Sequence, residues 1–264
     1  KDTRRIIAAA GYTVTEVKVR AERNGAPQYR WRYMLIGIRN DAVRGVRRAE
    51  ELLREIHDAL ETGTAKETSS GAALERLERF GVVPAGGGAE YSNADGVETW
   101  NHYARAHNKR DLAIYAMLQP GETAAELEAR HKGTIPYELT SFRDKYRKLD
   151  PTRPSPTIPA HLKRDANSFI LAGVNRGVTP REAATLQGFP RDYIFVGEQT
   201  HQFQQIGNAV PPPVAYNVGK LIRAALDKGQ DPRWRPRIVA ERGRKPTKQT
   251  QVGREYLVGA TSSS

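Results

Sequence analysis

QIGNAVPPP at residues 205–213 and TPREAATLQGFP at residues 179–190 decide how this chain is read. The second block is a complete helix start. Thr179 serves as N-cap, Pro180 stands at the first helical position, and Glu182 reaches back to the cap as the box partner. Gly188 and Pro190 end that helix within about two turns. In the first block Gly207-Asn208 predicts a turn, and the prolines near 211 open a last helix running to Leu226. Prolines confined to a first turn cost that helix little, because the N–H groups they lack have no partner there.

Working toward the N-terminus, PTRPSPTIP at residues 151–159 must be extended, since proline removes donors and restricts its neighbours. Thr123 with Glu126 fits a capping box. Residues 61–70 and 84–96 lack periodicity and read as loops. Between Val43 and Leu60, the apolar Val46, Ala49, Leu53, Ile56 and Leu60 recur at helical spacing, which predicts an amphipathic helix. RRIIAAA at residues 4–10 reads as the end of a helix stopped by Gly11. Val14, Val17 and Val19 mark one strand, and RYMLIGI at residues 32–38 marks another. Beyond Asp227 the chain is basic and apolar-poor, so a mobile tail is expected.

Composition narrows the partner. The 264 residues carry 42 Lys+Arg against 30 Asp+Glu, a formal charge of +12 and a pI near 9.9, which favours a polyanion, nucleic acid first. An anionic membrane is the rival, but no run approaches the roughly 18 apolar residues of a spanning helix, and a soluble, cytoplasmic protein is expected. There is no cysteine, which excludes disulfides, thiolate metal sites and a cysteine nucleophile within these residues. The start at Lys1 rather than Met is read as a missing natural N-terminus.

Three segments in order resemble the later motifs of cytosine-5 DNA methyltransferases. They are NGAPQYRWRYMLIGIRND at residues 24–41, with Gln28, Arg30 and Arg32 as the Gln-x-Arg-x-Arg motif; the 179–190 block, preceded by YRKLDPTRPSPTI at 146–158; and QIGNAVPP. NHYARAH at 101–107 is a weaker match, and the resemblance covers about residues 5 to 226. It implies an α/β fold: an incomplete Rossmann-like, S-adenosylmethionine-dependent methyltransferase domain with an inserted, irregular target-recognition domain. The expected division is 1–42 for the end of the catalytic domain, 43–176 for recognition, 177–226 for the return to the catalytic domain, and 227–264 for the tail.

The resemblance also implies a chemistry. The family flips the target cytosine out of double-stranded DNA and adds a cysteine thiolate to C6, and C5 then takes the methyl group of S-adenosylmethionine. A glutamate on N3 and an arginine on O2 orient the ring. Only the arginine is assigned here, to Arg32 with Arg30 beside it. Their alternation on a strand points both side chains one way, though both also suit the surface of a basic protein. By the same resemblance Asn208, Ala209 and Val210 contact the amino-acid end of the cofactor, an amide and helix-start N–H groups suiting a carboxylate. Gly207 is expected to lack a Cβ because backbone or cofactor approaches closely.

Arg181 is expected to organise the recognition domain first and to touch a phosphate second. Thr157 is placed near the DNA backbone or in a spacer. Arg105, with Trp100, Tyr103 and Lys109, is a candidate contact, although an aromatic stripe such as Trp100 and Tyr103 more often belongs to a core. His102 and His107 read as hydrogen-bonded histidines rather than metal ligands, so no metal is expected. Arg242, Arg244 and Lys245 offer further phosphate contacts.

The chain departs from the family in lacking the glycine-rich cofactor loop, the Pro-Cys loop and the Glu-Asn-Val motif. Gly86-Gly87-Gly88 is no substitute, with no strand feeding it, and Ala172-Gly173 stands where many relatives have His-Pro. A missing N-terminal half or a second subunit is therefore expected to carry the catalytic cysteine. The chain alone should be inactive, with apolar faces of its first strands and last helix left open. A non-catalytic, sequence-specific DNA-binding module or an inactive remnant is the alternative.

Overall fold

The computed structural model describes residues 3–78, 80, 82, 99–139, 145–163 and 166–229. The glycine run at 86–88 and the basic segment with Arg242, Arg244 and Lys245 lie outside the described residues. Helix α1 (Thr3–Ala9) ends at Gly11, whose φ of 86° turns the chain into strand β1 (Tyr12–Arg20). Strand β2 (Trp31–Arg39) returns antiparallel, pairing Tyr12 with Arg39 and Arg20 with Trp31. Alternation along both strands buries Val17, Val19, Ile36 and Ile38 on one face.

That face is covered by helix α2 (Val46–Thr62), which buries Ala49, Leu52, Leu53, Ile56 and Leu60. Each fully buried aliphatic side chain contributes about 1.5–3 kcal/mol relative to exposure. The last helix, α8 (Pro212–Gly229), lies along α2, with Lys228 3.1 Å from Glu55. Asn24 ties the layers, donating to Leu60 O at 3.2 Å while its own carbonyl accepts from Asn217 at 3.2 Å. Helix α2, which follows the expected boundary at residue 42, thus packs on the sheet and against α8.

The opposite face of the sheet is open. Trp31 is 50% and Tyr33 79% exposed, with Lys18 Nζ 4.2 Å and the Arg20 guanidinium carbon 5.3 Å from the Trp31 ring centre. The Ala21 N–H to Arg30 O bond of 2.8 Å sets the phase of the ladder, so Tyr33, Leu35 and Gly37 turn their N–H and C=O groups away from β1. These groups have no partner among the described residues.

The middle of the chain contributes α3 (Ser70–Leu74), α4 (Lys109–Met117) and α5 (Ala124–Arg130). Asn108 caps α4 by accepting from Asp111 N at 2.8 Å, and α5 carries the predicted Thr123–Glu126 box. Tyr115, Leu118, Leu127, Tyr146 and Ile170 close an apolar cluster around α4 and α5. Helix α6 (Pro180–Leu186) begins with the expected box, Glu182 N donating to Thr179 Oγ1 at 3.1 Å and Thr179 N to Glu182 at 2.7 Å. Residues 99–108 are not helical, so Trp100 and Tyr103 form no helical stripe.

Between α6 and α8 stands a helix the sequence reading did not foresee, α7 (Gln199–Asn208). Gly207-Asn208 closes this helix, and the turn into α8 falls on residues 209–211. Phe203 and Ile206 of α7 join Ile158, Leu162, Phe169 and Leu186 in a second cluster. The α8 helix extends to Gly229, three residues past the expected end at Leu226. The described residues pack as one compact unit. Among the described residues no helix is long and apolar enough to cross a membrane.

Candidate functional site

The site forms where four distant segments meet around one buried arginine. Residues 151–159 run beside the lead-in to β2, Tyr29 N donating to Ser155 O at 2.8 Å and Ser155 N to Pro27 O at 3.0 Å. Arg30, 3% exposed, lies between this strap and α7. Its guanidinium donates to Ile158 O at 2.6 Å and Gly207 O at 2.5 Å, with longer bonds to Gln28 and Gln187 at 3.4 Å. Gln187, at the end of α6, donates to Ile206 O at 2.5 Å and Ala209 O at 3.1 Å. A planar donor fork facing carbonyls left over at a helix end gives those carbonyls their donors, while the buried Arg30 Nε has no partner among the described residues.

Gly207 is required by this packing, because a Cβ there would lie 2.5 Å from Ala160 Cα and Pro159 C. The close approach read from the sequence is a backbone one. Gly188 is held twice over, by a φ of +83° and by Pro213 2.7 Å from where its Cβ would stand.

Arg32 follows in β2 on the same face as Arg30 and is half-buried; burial alone lowers its pKa. It donates to Ala209 O at 3.2 Å and Trp31 O at 3.1 Å, leaving further N–H groups of its five free to meet a ligand. The two arginines thus converge, as expected of alternating residues, but on the carbonyl of Ala209. Beside that carbonyl, the exposed Asn208 side chain has no partner among the described residues. Residues 208–210 end α7 and precede α8, and they offer fewer free N–H groups than the expected helix start. Pro211, Pro212 and Pro213 have no N–H, and Ala209 N donates back to Gln205 O and Ile206 O at 3.2 Å. Only the Val210 N–H remains to join the Asn208 amide in meeting a carboxylate.

Arg181 and Arg105 lie elsewhere. Arg181 is wholly buried and donates to Trp100 O at 2.8 Å, Tyr193 O at 2.5 Å, Pro190 O at 3.2 Å and Asn101 at 3.3 Å. Desolvation lowers its pKa to about 10, and it has no surface left for a phosphate. Its bonds join residues 100–101 to 190–193, and the expected phosphate contact is not open to it. Arg105 stacks 4.7 Å from the Phe203 ring centre and donates to Gln199 at 3.1 Å, which fixes it on α7 rather than extending it toward a ligand. Thr157 is exposed, but its hydroxyl donates to Tyr29 O at 2.6 Å, so in this arrangement it offers a phosphate no proton. His102 bonds Thr179 at 2.9 Å. His107 Nε2 accepts from Gly177 N at 3.1 Å, which places its proton on Nδ1, facing Tyr115 at 3.2 Å.

The profile of the C-5 cytosine-specific DNA methylase family matches residues 5–224. The chain belongs to the C-5 cytosine-specific DNA methylase family. Enzymes of this family methylate DNA with S-adenosylmethionine as donor. The type II methyltransferase M.AgeI of Thalassovita gelatinovora is 41% identical over 122 residues, 43% of this chain and 28% of that protein. M.AquIB of a Picosynechococcus strain is 36% identical over 137 residues, 48% of this chain and 88% of that protein. A solved E. coli structure, assigned as a prophage-encoded DNA modification methyltransferase, shares the fold at TM-score 0.59 and 23% identity, covering 84% of this chain and 63% of that one. The chain therefore spans less than a third of M.AgeI.

Within the family frame, the structure brings Arg30, Arg32 and residues 208–210 together and leaves Arg181 and Arg105 outside. Gln187 was not singled out from sequence, although it sits inside the quoted 179–190 block. Its signal was a glutamine just before the helix-ending Gly188, where a long amide can reach back over the helix end.

Proposed function

We propose that this chain supplies target recognition and part of the base and cofactor pockets of a DNA cytosine-5 methyltransferase whose nucleophilic cysteine lies on polypeptide outside this sequence, ahead of it on the same chain or on a second one. The observation that carries the reading is the meeting of Arg32 with Ala209 across 177 positions, in a chain with no cysteine. Arg32 is assigned to the ring oxygen of the flipped cytosine, where a guanidinium stabilises charge developing as C6 is attacked. Arg30, fixed by five carbonyl and amide partners, positions Arg32 rather than touching substrate. The Asn208 amide and Val210 N–H fit the amino-acid carboxylate of S-adenosylmethionine, whose part in the reaction is to supply an electrophilic methyl group.

Two further features support a separate catalytic portion. The unpaired edge and exposed aromatic face of β2 suit continuation of the sheet by another strand. The aligned segment of M.AquIB makes up 88% of that relative and 48% of this chain, so a protein shorter than this one occurs in the family. We assign the segment between α2 and α6 to target recognition.

Sequencing the source DNA ahead of the Lys1 codon and co-expressing any cysteine-bearing frame found there tests the assignment. With that frame, labelled methyl groups pass to DNA cytosine; without it, none do. In the assembled enzyme Arg32→Ala lowers methyl transfer roughly 100-fold with little change in DNA affinity; equal losses in both would remove Arg32 from the chemistry. The alternative, a stand-alone DNA-binding module, has no use for an open Asn208 turn. It becomes the better reading if DNA binds while no cysteine-bearing portion restores methyl-donor binding.

A further inference from the structure

A groove of roughly 460 Å³ opens between residues 147–157 and the loop before α5. Its walls include Tyr29, Arg147, Lys148, Asp150, Arg153 and Thr157. The Arg147 guanidinium and the Lys148 ammonium have no hydrogen-bond or ion-pair partner among the described residues, and Arg153 rests 5.9 Å from the Tyr29 ring centre. Lys148 is 6% exposed, and desolvation by burial lowers its pKa, offset only in part by the charge of Glu122.

The carboxylates nearby are already engaged. Asp150 accepts from Thr152 N at 2.9 Å and Thr152 Oγ1 at 2.6 Å, and Glu122 is bound by Arg130 at 2.8 Å and 3.0 Å. Three cations thus face one lining acid. Two of the three are arginines, whose flat donor forks match phosphate oxygens.

We propose that this groove is a phosphodiester site, in which Arg147 and Arg153, assisted by Lys148, hold a backbone phosphate of the DNA strand that presents the target base. The location argues for DNA rather than a free anion. Tyr29 and Thr157 on the groove wall immediately precede Arg30 and Ile158, which are joined at 2.6 Å, so a phosphate seated here enters beside the arginine pair. The Thr157-to-Tyr29 bond stiffens that wall and fixes the distance between groove and arginines. This inference rests on the reading of the chain as a DNA-acting portion of a methyltransferase.

The test measures binding of the full 264-residue chain to fluorescein-labelled double-stranded DNA by anisotropy across a chloride series. For the unaltered chain, affinity falls as salt rises. The Arg147→Ala/Arg153→Ala double variant should bind at least about tenfold more weakly at low salt, with the slope of log affinity against log salt shallower by about 2. Arg147→Lys/Arg153→Lys, which keeps the charge, should retain most of the slope. Arg223→Ala, on the exposed side of α8, should change neither quantity, and matching thermal melts keep loss of folding from imitating the effect.

If the double alanine variant binds like Arg223→Ala while the unaltered chain binds well, the groove assignment is wrong and the DNA-acting reading survives. If the unaltered chain fails to bind DNA at low salt, that reading and the groove fall together. If inorganic phosphate displaces the DNA far more effectively than chloride at equal ionic strength, the ligand is free phosphate and the backbone assignment is overturned.

Discussion

Arg30 and Arg32 are two residues apart and have different tasks, and stability measurements should separate them. Removing Arg30 leaves the buried carbonyls of Ile158 and Gly207 without donors, so Arg30→Ala should lower unfolding free energy by about 3 kcal/mol in urea titrations, against less than about 1 for Arg32→Ala. Gly207→Ala drives a methyl group into the backbone of Pro159 and Ala160 and should cost about 1–3 kcal/mol in the same assay. His102 and His107 add a pH dependence. Burial is the main cause holding both below the usual imidazole pKa of 6.5. Their contribution is complete above that value and is lost as pH falls through the lowered folded pKa, because protonation of His107 Nε2 breaks the bond from Gly177 N. Imidazole C–H resonances followed by NMR should titrate with midpoints below 6.5 for both. Local chemistry was legible at this scale: Thr179 and Glu182 cap α6 as read, since their partners lie within three residues. The fate of Arg181 was not, because its acceptors at Trp100, Asn101, Pro190 and Tyr193 are brought to it only by the fold.

Elements with a strong apolar period were visible in the sequence, and those without one were not. Both strands and α2 follow their hydrophobic spacing. Helix α7 escaped notice because Phe203 and Ile206 are the only large apolar residues in its ten, Gln202 is buried among them, and Glu198 provides no side-chain cap. The helix is held by tertiary packing in place of propensity. Phe203→Ala should therefore cost about 3–5 kcal/mol, a large penalty for so polar a helix, and should release Arg105 from the ring it covers. Circular dichroism melting of the variant checks the first part. The missed α7 also explains why the turn into α8 was placed two residues early.

For the molecule as a whole, the contrast between the two strand edges governs behaviour in solution. On the open face, β1 presents Glu16, Lys18 and Arg20, charges that discourage pairing, whereas β2 presents Trp31, Tyr33 and Leu35 with unpaired backbone groups. The isolated chain should self-associate with rising concentration, and Tyr33→Lys with Leu35→Lys should return it to monomer in sedimentation velocity. An unchanged sedimentation profile would mean that β2 is not the sticky edge.

The bond between Arg32 and Ala209 spans 177 positions, and this separation becomes a delay when the chain is made. At about 5–20 residues per second, translation places the arginine roughly 10–35 s ahead of the turn it meets. Throughout that interval the nascent chain carries a finished hairpin and no finished pocket. The end of α7 and the turn after it are therefore the segment whose arrival completes the contact.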